Sequence, residues 1–233
     1  MTARIALIHA VQAAMAPVEA AFVRRWPQAQ RVNLLDDALP ADLERAGRLT
    51  DTLHARIRRL AEHALAAGAD GILFTCSAFG PAIAAAAAAL PVPVLKPNEA
   101  MFEAALAAGR RIGMLATFAP SVPSMEEEFR AMAAARVVPL TIETVCEPAA
   151  MAAAHAGDVG GHNRLVAAAA SRLAHCDAIM LAQFSTSTAL DAVRAVVRQP
   201  VLSAPDAAVN ALRRLIQRSQ TLASLASNTT AAP

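Results

Sequence analysis

Short apolar runs alternate along this chain with stretches in which apolar residues recur every three or four positions, the pattern of strands alternating with helices. Residues 4–8 predict a first strand, with His9 and Gln12 in the loop after it. A helix begins near Pro17 and turns Val18, Ala21 and Phe22 inward. A short second strand at 32–35 leads through Asp36, Asp37 and Pro40 into one long amphipathic helix over 42–67, with Leu49, Leu53, Ile57, Leu60 and Ala64 on its apolar face. Gly68 ends that helix. Ile72, Leu73 and Phe74 then form a run suited to a strand covered on both faces. Gly80 and Pro81 open a helix through the following alanines, because proline is favoured in a first helical turn. A strand at 92–95 and a crossover at Lys96, Pro97 and Asn98 close the first half.

The second half predicts a helix at 99–108, strands at 111–116 and 137–144 around a helix at 124–135, and a glycine-rich turn at 158–163. A helix to His175, a strand at 178–182, a further helix, a strand at 200–202 and a last helix to about 218 follow. Residues 219–233 are small and polar and predict a disordered tail. An offset of 107 carries the first half onto the second without a gap. Arg4-Ile5-Ala6-Leu7-Ile8 becomes Arg111-Ile112-Gly113-Met114-Leu115, and Glu19 and Phe22 become Glu126 and Phe129. Asp70 becomes Asp177, Pro93-Val94-Leu95 becomes Pro200-Val201-Leu202, and Cys76 falls on Gln183. Eight strand–helix pairs in two copies fit two lobes of parallel sheet and a closed (β/α)8 barrel equally well.

Composition narrows the function. A formal charge of +2 gives no basic footprint for nucleic acid, and with no Tyr and a single Trp26 there is no aromatic platform for bases. Lys96 is the single lysine among 21 basic residues. The three cysteines, Cys76, Cys146 and Cys176, show no metal-ligand spacing, and their odd number does not suggest a disulfide framework. A reducing, cytoplasmic location fits them. The opening residues resemble a secretory signal, but the same pattern recurs at 111–129 inside the chain. No run approaches the roughly 20 apolar residues of a membrane span. The expected partner is a small molecule, with no nucleic acid and no membrane, and a homo-oligomer is compatible with such a chain.

The residues with most chemical promise lie at predicted strand ends. Cys76 stands between the buried run 72–74 and a helix start, where ligands bind in open α/β sheets and where the positive helix end favours a thiolate or a substrate carboxylate. His9 ends the first strand. The element Ile72 to Gly80, repeated in a second half, resembles the aspartate/glutamate/hydantoin racemase superfamily, which also includes arylmalonate decarboxylases and maleate isomerases. The resemblance runs to about residue 218 and is strongest in GADGILFTCSA, VPVLKPNEAM and RIGMLAT. It implies an α/β fold of two pseudo-symmetric flavodoxin-like lobes with parallel sheets, the active-site cleft between them, and no cofactor or metal. The expected lobes are 1–96 with the helix 206–218, and 97–205.

The resemblance also implies racemisation with one cysteine per lobe, and Cys76 matches the first. Where the family reads L-G-C-T for the second, this chain has Leu181-Ala182-Gln183-Phe184, and an amide does not exchange protons usefully. Another acid for that face comes from His9, Ser185 or His162, or only one face needs an acid. The expected catalytic residues are Cys76 and His9. Ser77 and Ala78 are expected to hold the substrate carboxylate through N–H groups, with Thr117, Gln183, Ser185, Thr186 and Asn98 as further substrate-binding residues. The reading is a cofactor-independent racemase or isomerase acting next to the carboxylate of a small amino acid or related acid. A decarboxylase of malonate-type acids is the alternative within the family. A non-catalytic two-lobed binder, favoured by Gln183, is the alternative outside it. Plainer readings remain for most candidates: Cys176 as core, Cys146 as an ordinary strand end, His162 as a helix cap, Lys96 and Asn98 as solvated loop. His54, His63, His155 and His175 read as surface.

Overall fold

A computed structural model gives the fold of residues 2–229, with side chains as far as Thr221. The first four strands are β1 (Arg4–His9), β2 (Gln30–Leu35), β3 (Gly71–Phe74) and β4 (Val94–Leu95). Between them lie α1 (Met15–Arg25), α2 (Leu39–Ala46), α3 (Asp51–Ala66) and α4 (Gly80–Ala89). The second set of strands is β5 (Arg111–Ala116), β6 (Thr141–Cys146), β7 (Ala178–Leu181) and β8 (Val201–Ser203). They alternate with α5 (Glu99–Ala108), α6 (Val122–Ala135), α7 (Pro148–His155), α8 (Val159–Ala170), α9 (Leu190–Arg194) and α10 (Ala204–Thr229).

The strands form two separate sheets of four, in the orders β2-β1-β3-β4 and β6-β5-β7-β8, every pairing parallel. The closed barrel is therefore excluded. In each sheet the chain moves outward from the first strand to the second, then crosses back to the other side. That reversal leaves a crevice at the carboxyl ends of β1 and β3, and equally of β5 and β7. The central strands β3 and β7 are buried at every residue, which is why they read as unbroken apolar runs. Contacts divide the chain into one unit that ends at Pro97 and resumes at Ala208, and a second, Asn98–Ala207. Helix α10 thus begins in the second unit and continues in the first. Its Leu212 and Ile216 lie against Gly71, where an added Cβ would fall within 2.9 Å of either side chain.

The repeat is visible in the ladders. Ile5 pairs with Gly71 and Ile112 with Ala178, while Ile72 pairs with Val94 and Ile179 with Val201, both at the offset of 107. Asp70 accepts the Arg4 N–H at 2.7 Å, and Asp177 accepts that of Arg111 at 2.8 Å. The offset is not gap-free, however. Arg4 pairs with Gln30 but Arg111 with Thr141, 111 positions further on. Helix α6 has 14 residues against 11 in α1, and the turn after it passes through Val137 at φ 55°. The strand expected at 137–144 accordingly starts later.

Three other expectations change. The long helix over 42–67 is two, because Gly47 takes the left-handed conformation at φ 65° and Thr50 starts α3 by accepting the Leu53 N–H. The glycine-rich turn at 158–163 is the beginning of α8. The Asp158 carboxylate caps it through the Gly161 N–H at 2.7 Å, and an added Cβ on Gly161 would strike that carboxylate. The tail expected to be disordered from Ser219 continues α10 to Thr229, and its last residues, 230–233, lie outside the described residues. Among the described residues no helix is long and apolar enough to cross a membrane.

Candidate active site

In the first unit, β3 ends at Phe74 and delivers Thr75 and Cys76 to the crevice. A 3-10 turn, Ser77–Phe79, separates Cys76 from α4, so the cysteine does not abut an α-helix directly. Cys76 is half-buried, with Ser77 and Ala78 exposed beside it. Burial pushes its thiol above the ordinary value, and the Ala78 N–H bonded to the sulfur only partly opposes this. Of the thiol and the thiolate that a strand-end cysteine could present, burial favours the neutral thiol, a group that can give a proton.

His9, at the end of β1, is 0% exposed. Both its ring nitrogens are taken: Nε2 lies 2.8 Å from Asn33 Oδ1 and Nδ1 2.9 Å from Thr75 Oγ1. Asn33 uses its amide N–H on Glu19 at 3.0 Å and so turns its oxygen to the ring. Nε2 must then carry the proton, and Nδ1 accepts from the Thr75 hydroxyl. Glu19 is held in turn by Arg31 at 3.0 Å. Burial lowers the His9 pKa below its usual value, consistent with a neutral ring. A connected line, Arg31–Glu19–Asn33–His9–Thr75, thus ends on the residue before Cys76. His9 presents no nitrogen to a substrate, which corrects its expected part as an acid. Asn33 carries no sequence signal and Thr75 stands in the GADGILFTCSA motif without a role of its own, whereas Glu19 is marked by its repeat partner Glu126, which accepts from Thr144 at 2.6 Å. The second unit has Ala116 and Ala182 where the first has His9 and Thr75, so this line exists once.

In the second unit, Gln183 follows β7 and is a hub. Its Oε1 accepts from the Thr117 N–H at 3.1 Å and the Thr186 hydroxyl at 2.9 Å, and its Nε2 donates to Ser121 at 2.7 Å. Thr117 and Thr186 are buried and Ser185 is half-buried. Asn98, just before α5, is 4% exposed, so it is not a solvated loop residue; Lys96 is half-buried. His162 is buried in the first turns of α8, with Nδ1 2.8 Å from Asn163 Oδ1 and 3.3 Å from the Thr188 hydroxyl, while the capping is done by Asp158. Cys146 ends β6, half-buried, its thiol also raised by burial.

The sequence model of the family described as Asp/Glu/Hydantoin racemase matches residues 8–173, well over half of the chain. The chain belongs to that family. Solved structures share this racemase-family fold. An aspartate racemase homologue from Pyrococcus horikoshii matches at TM-score 0.70 and 12% identity, covering 92% of this chain and 99% of its own. Allantoin racemase from Klebsiella pneumoniae matches at 0.67 and 18%, covering 94% and 89%. A mutant of arylmalonate decarboxylase matches at 0.62 and 19%, covering 92% and 93%. No curated protein matches. For this member of the family, the hub geometry makes Gln183→Ala costly. It strips partners from a backbone N–H and two hydroxyls, so a loss of about 1–3 kcal/mol is expected in urea unfolding. Gln183→Glu, which keeps both acceptor contacts, should lose less; equal midpoints for Gln183→Ala and the parent would contradict the hub.

Proposed function

We propose that this chain is a cofactor-independent enzyme that moves a proton at the carbon next to the carboxylate of a small amino acid or related acid, with Cys76 serving one face. The observation that carries the reading is a half-buried cysteine at the carboxyl end of a central strand, kept as a thiol by burial and touched by one backbone N–H. In the direction of protonation, the S–H bond breaks, its proton joins the carbanion carbon, and the thiolate left behind is stabilised by the Ala78 N–H. In the reverse direction the thiolate takes the substrate proton and the electron pair moves into an enediolate. Racemisation or isomerisation is the leading outcome, in line with the family. The three free thiols support a reducing, cytoplasmic setting.

Decarboxylation is the second reading, and Gln183 favours it. Held on three sides and unable to relay a proton, it leaves Cys76 as the one assigned acid. Loss of CO₂ from a malonate-type acid leaves its electron pair in the same enediolate, which needs protonation on one face only. Amino acids, hydantoins and substituted malonates incubated in deuterated solvent separate the outcomes. Label at the α-carbon with inversion supports a racemase, and label with CO₂ release a decarboxylase. No label and no CO₂ with any of these classes, together with saturable binding, would establish the non-catalytic binder instead.

A further inference from the structure

Glu143 on β6 meets His175 and Cys176, the two residues that lead into β7, although β5 lies between those strands. The carboxylate, imidazole and thiol ligand atoms all lie within 4.8 Å of one another, with Glu143 Oε2 2.7 Å from His175 Nε2. Among the described residues this is the one such group of three. We infer that Glu143, His175 and Cys176 form a binding site for a zinc-like divalent metal ion.

The local fold explains how the three come together. Glu143 pairs with Gly113, and Gly113 with Ile179, so Glu143 shares a row with Ile179, three residues after Cys176. Gly113 has no side chain, and a Cβ there would lie 3.1 Å from the Leu173 side chain. The 3-10 turn Ser171–Leu173 therefore settles onto β5 at this point, and the chain leaves it directly into His175 and Cys176. The backbone is held on both sides of the cysteine. Its N–H donates to the Leu173 carbonyl at 3.0 Å, and the Asp177 N–H to the Arg111 carbonyl at 2.7 Å. The Asp177 carboxylate accepts the N–H groups of Arg110 and Arg111 at 2.7 and 2.8 Å. The buried Cys176 thus supplies a fixed sulfur, while the side chains of His175 and Glu143, 49% and 44% exposed, have room to adjust.

The repeat supplies an internal comparison. In the first unit the corresponding positions are Val32, Gly68 and Ala69, which offer no side-chain ligand, and the sheet forms there without them. The architecture does not call for this triad; it is an addition in the second unit. Thiolate, imidazole and carboxylate are the ligand types zinc takes, at about 2.3 Å for sulfur and about 2.0–2.2 Å for nitrogen and oxygen, with a fourth position left to water. On binding, the thiol proton leaves to solvent, the imidazole gives its lone pair to the metal, and one thiolate and one carboxylate neutralise the two positive charges.

Cobalt(II) added to the chelator-treated full chain tests the assignment. One cobalt per chain should bind with a thiolate-to-metal charge-transfer band, and zinc should displace it. Cys176→Ser should remove the band, Cys146→Ser should keep it, and His175→Ala and Glu143→Gln should each weaken binding about tenfold or more. Glu143→Gln, at a half-exposed edge-strand position, keeps the test open should the cysteine variant fail to fold. Absence of the band in the parent, its survival in Cys176→Ser, or unchanged affinity in both His175→Ala and Glu143→Gln would overturn the inference.

Discussion

Cys76→Ala is expected to abolish turnover, with a loss at least as large as the 10²–10⁴-fold typical of a general acid–base group. At about 1.36 kcal/mol per decade this corresponds to roughly 2.7–5.4 kcal/mol of transition-state stabilisation. Cys76→Ser should fare little better, since a hydroxyl of the same shape is a far weaker acid. The pH profile distinguishes use of the thiol from use of the thiolate. A thiol held above its ordinary value by burial remains protonated through neutrality. Protonation of the carbanion should therefore hold its rate up to at least pH ~8.5, the free-thiol value, and decline only on the alkaline side. A rate that rises through neutrality with thiolate formation would instead point to a step that uses the thiolate, as base or as nucleophile. Full activity in Cys76→Ala would place the chemistry on another residue.

The second large effect is on stability. His9→Leu keeps much of the volume but leaves the Asn33 carbonyl and the Thr75 hydroxyl without the ring they bond to. Asn33 is exposed and its carbonyl can turn to water, so the loss rests on the buried Thr75 hydroxyl, and about 1–3 kcal/mol is expected in denaturant unfolding. The parent should also show an acid dependence that the variant lacks. Burial lowers the folded-state pKa of His9 from 6.5, so below that pH the unfolded chain binds a proton that the folded chain refuses. The contribution is complete above about pH 6.5 and is lost as pH falls from there through the lowered folded value. Midpoints measured from pH 8 to pH 5 should fall more steeply for the parent than for His9→Leu. Parallel curves would mean that His9 is not the buried neutral group described.

Much of the architecture is legible because buried parallel strands write themselves as short unbroken apolar runs. The repeat places β1, β3 and β4 on β5, β7 and β8 residue for residue. What escapes is what periodicity does not register. Leu43 before Gly47 and Leu49, Leu53 and Ile57 after it face the same core, and a left-handed glycine alters the path without interrupting that apolar pattern. Helix α7 is mostly alanine, with little contrast between its faces to announce it. At the site, punctuation after Phe74 was enough to single out Cys76. The environment of His9 was hidden because it depends on strand order: Asn33 and Thr75 reach the ring from the two neighbours of β1, far apart in sequence. Glu143 is hidden from His175 and Cys176 in the same way, so a search for ligand spacing among cysteines passes over the triad.

The path of α10 bears on how the molecule is made. The sheet of the first unit is complete in sequence at Leu95, yet the side chains that cover Gly71 belong to Leu212 and Ile216. Synthesis at about 5–20 residues per second puts roughly 6–23 s between them. During that interval the first sheet waits on the ribosome with part of its apolar surface uncovered. Asn98–Ala207 is continuous and has all of its own strands by Ser203. The middle of the chain can therefore reach its native state before the beginning does, and the last helix to emerge closes the part that emerged first.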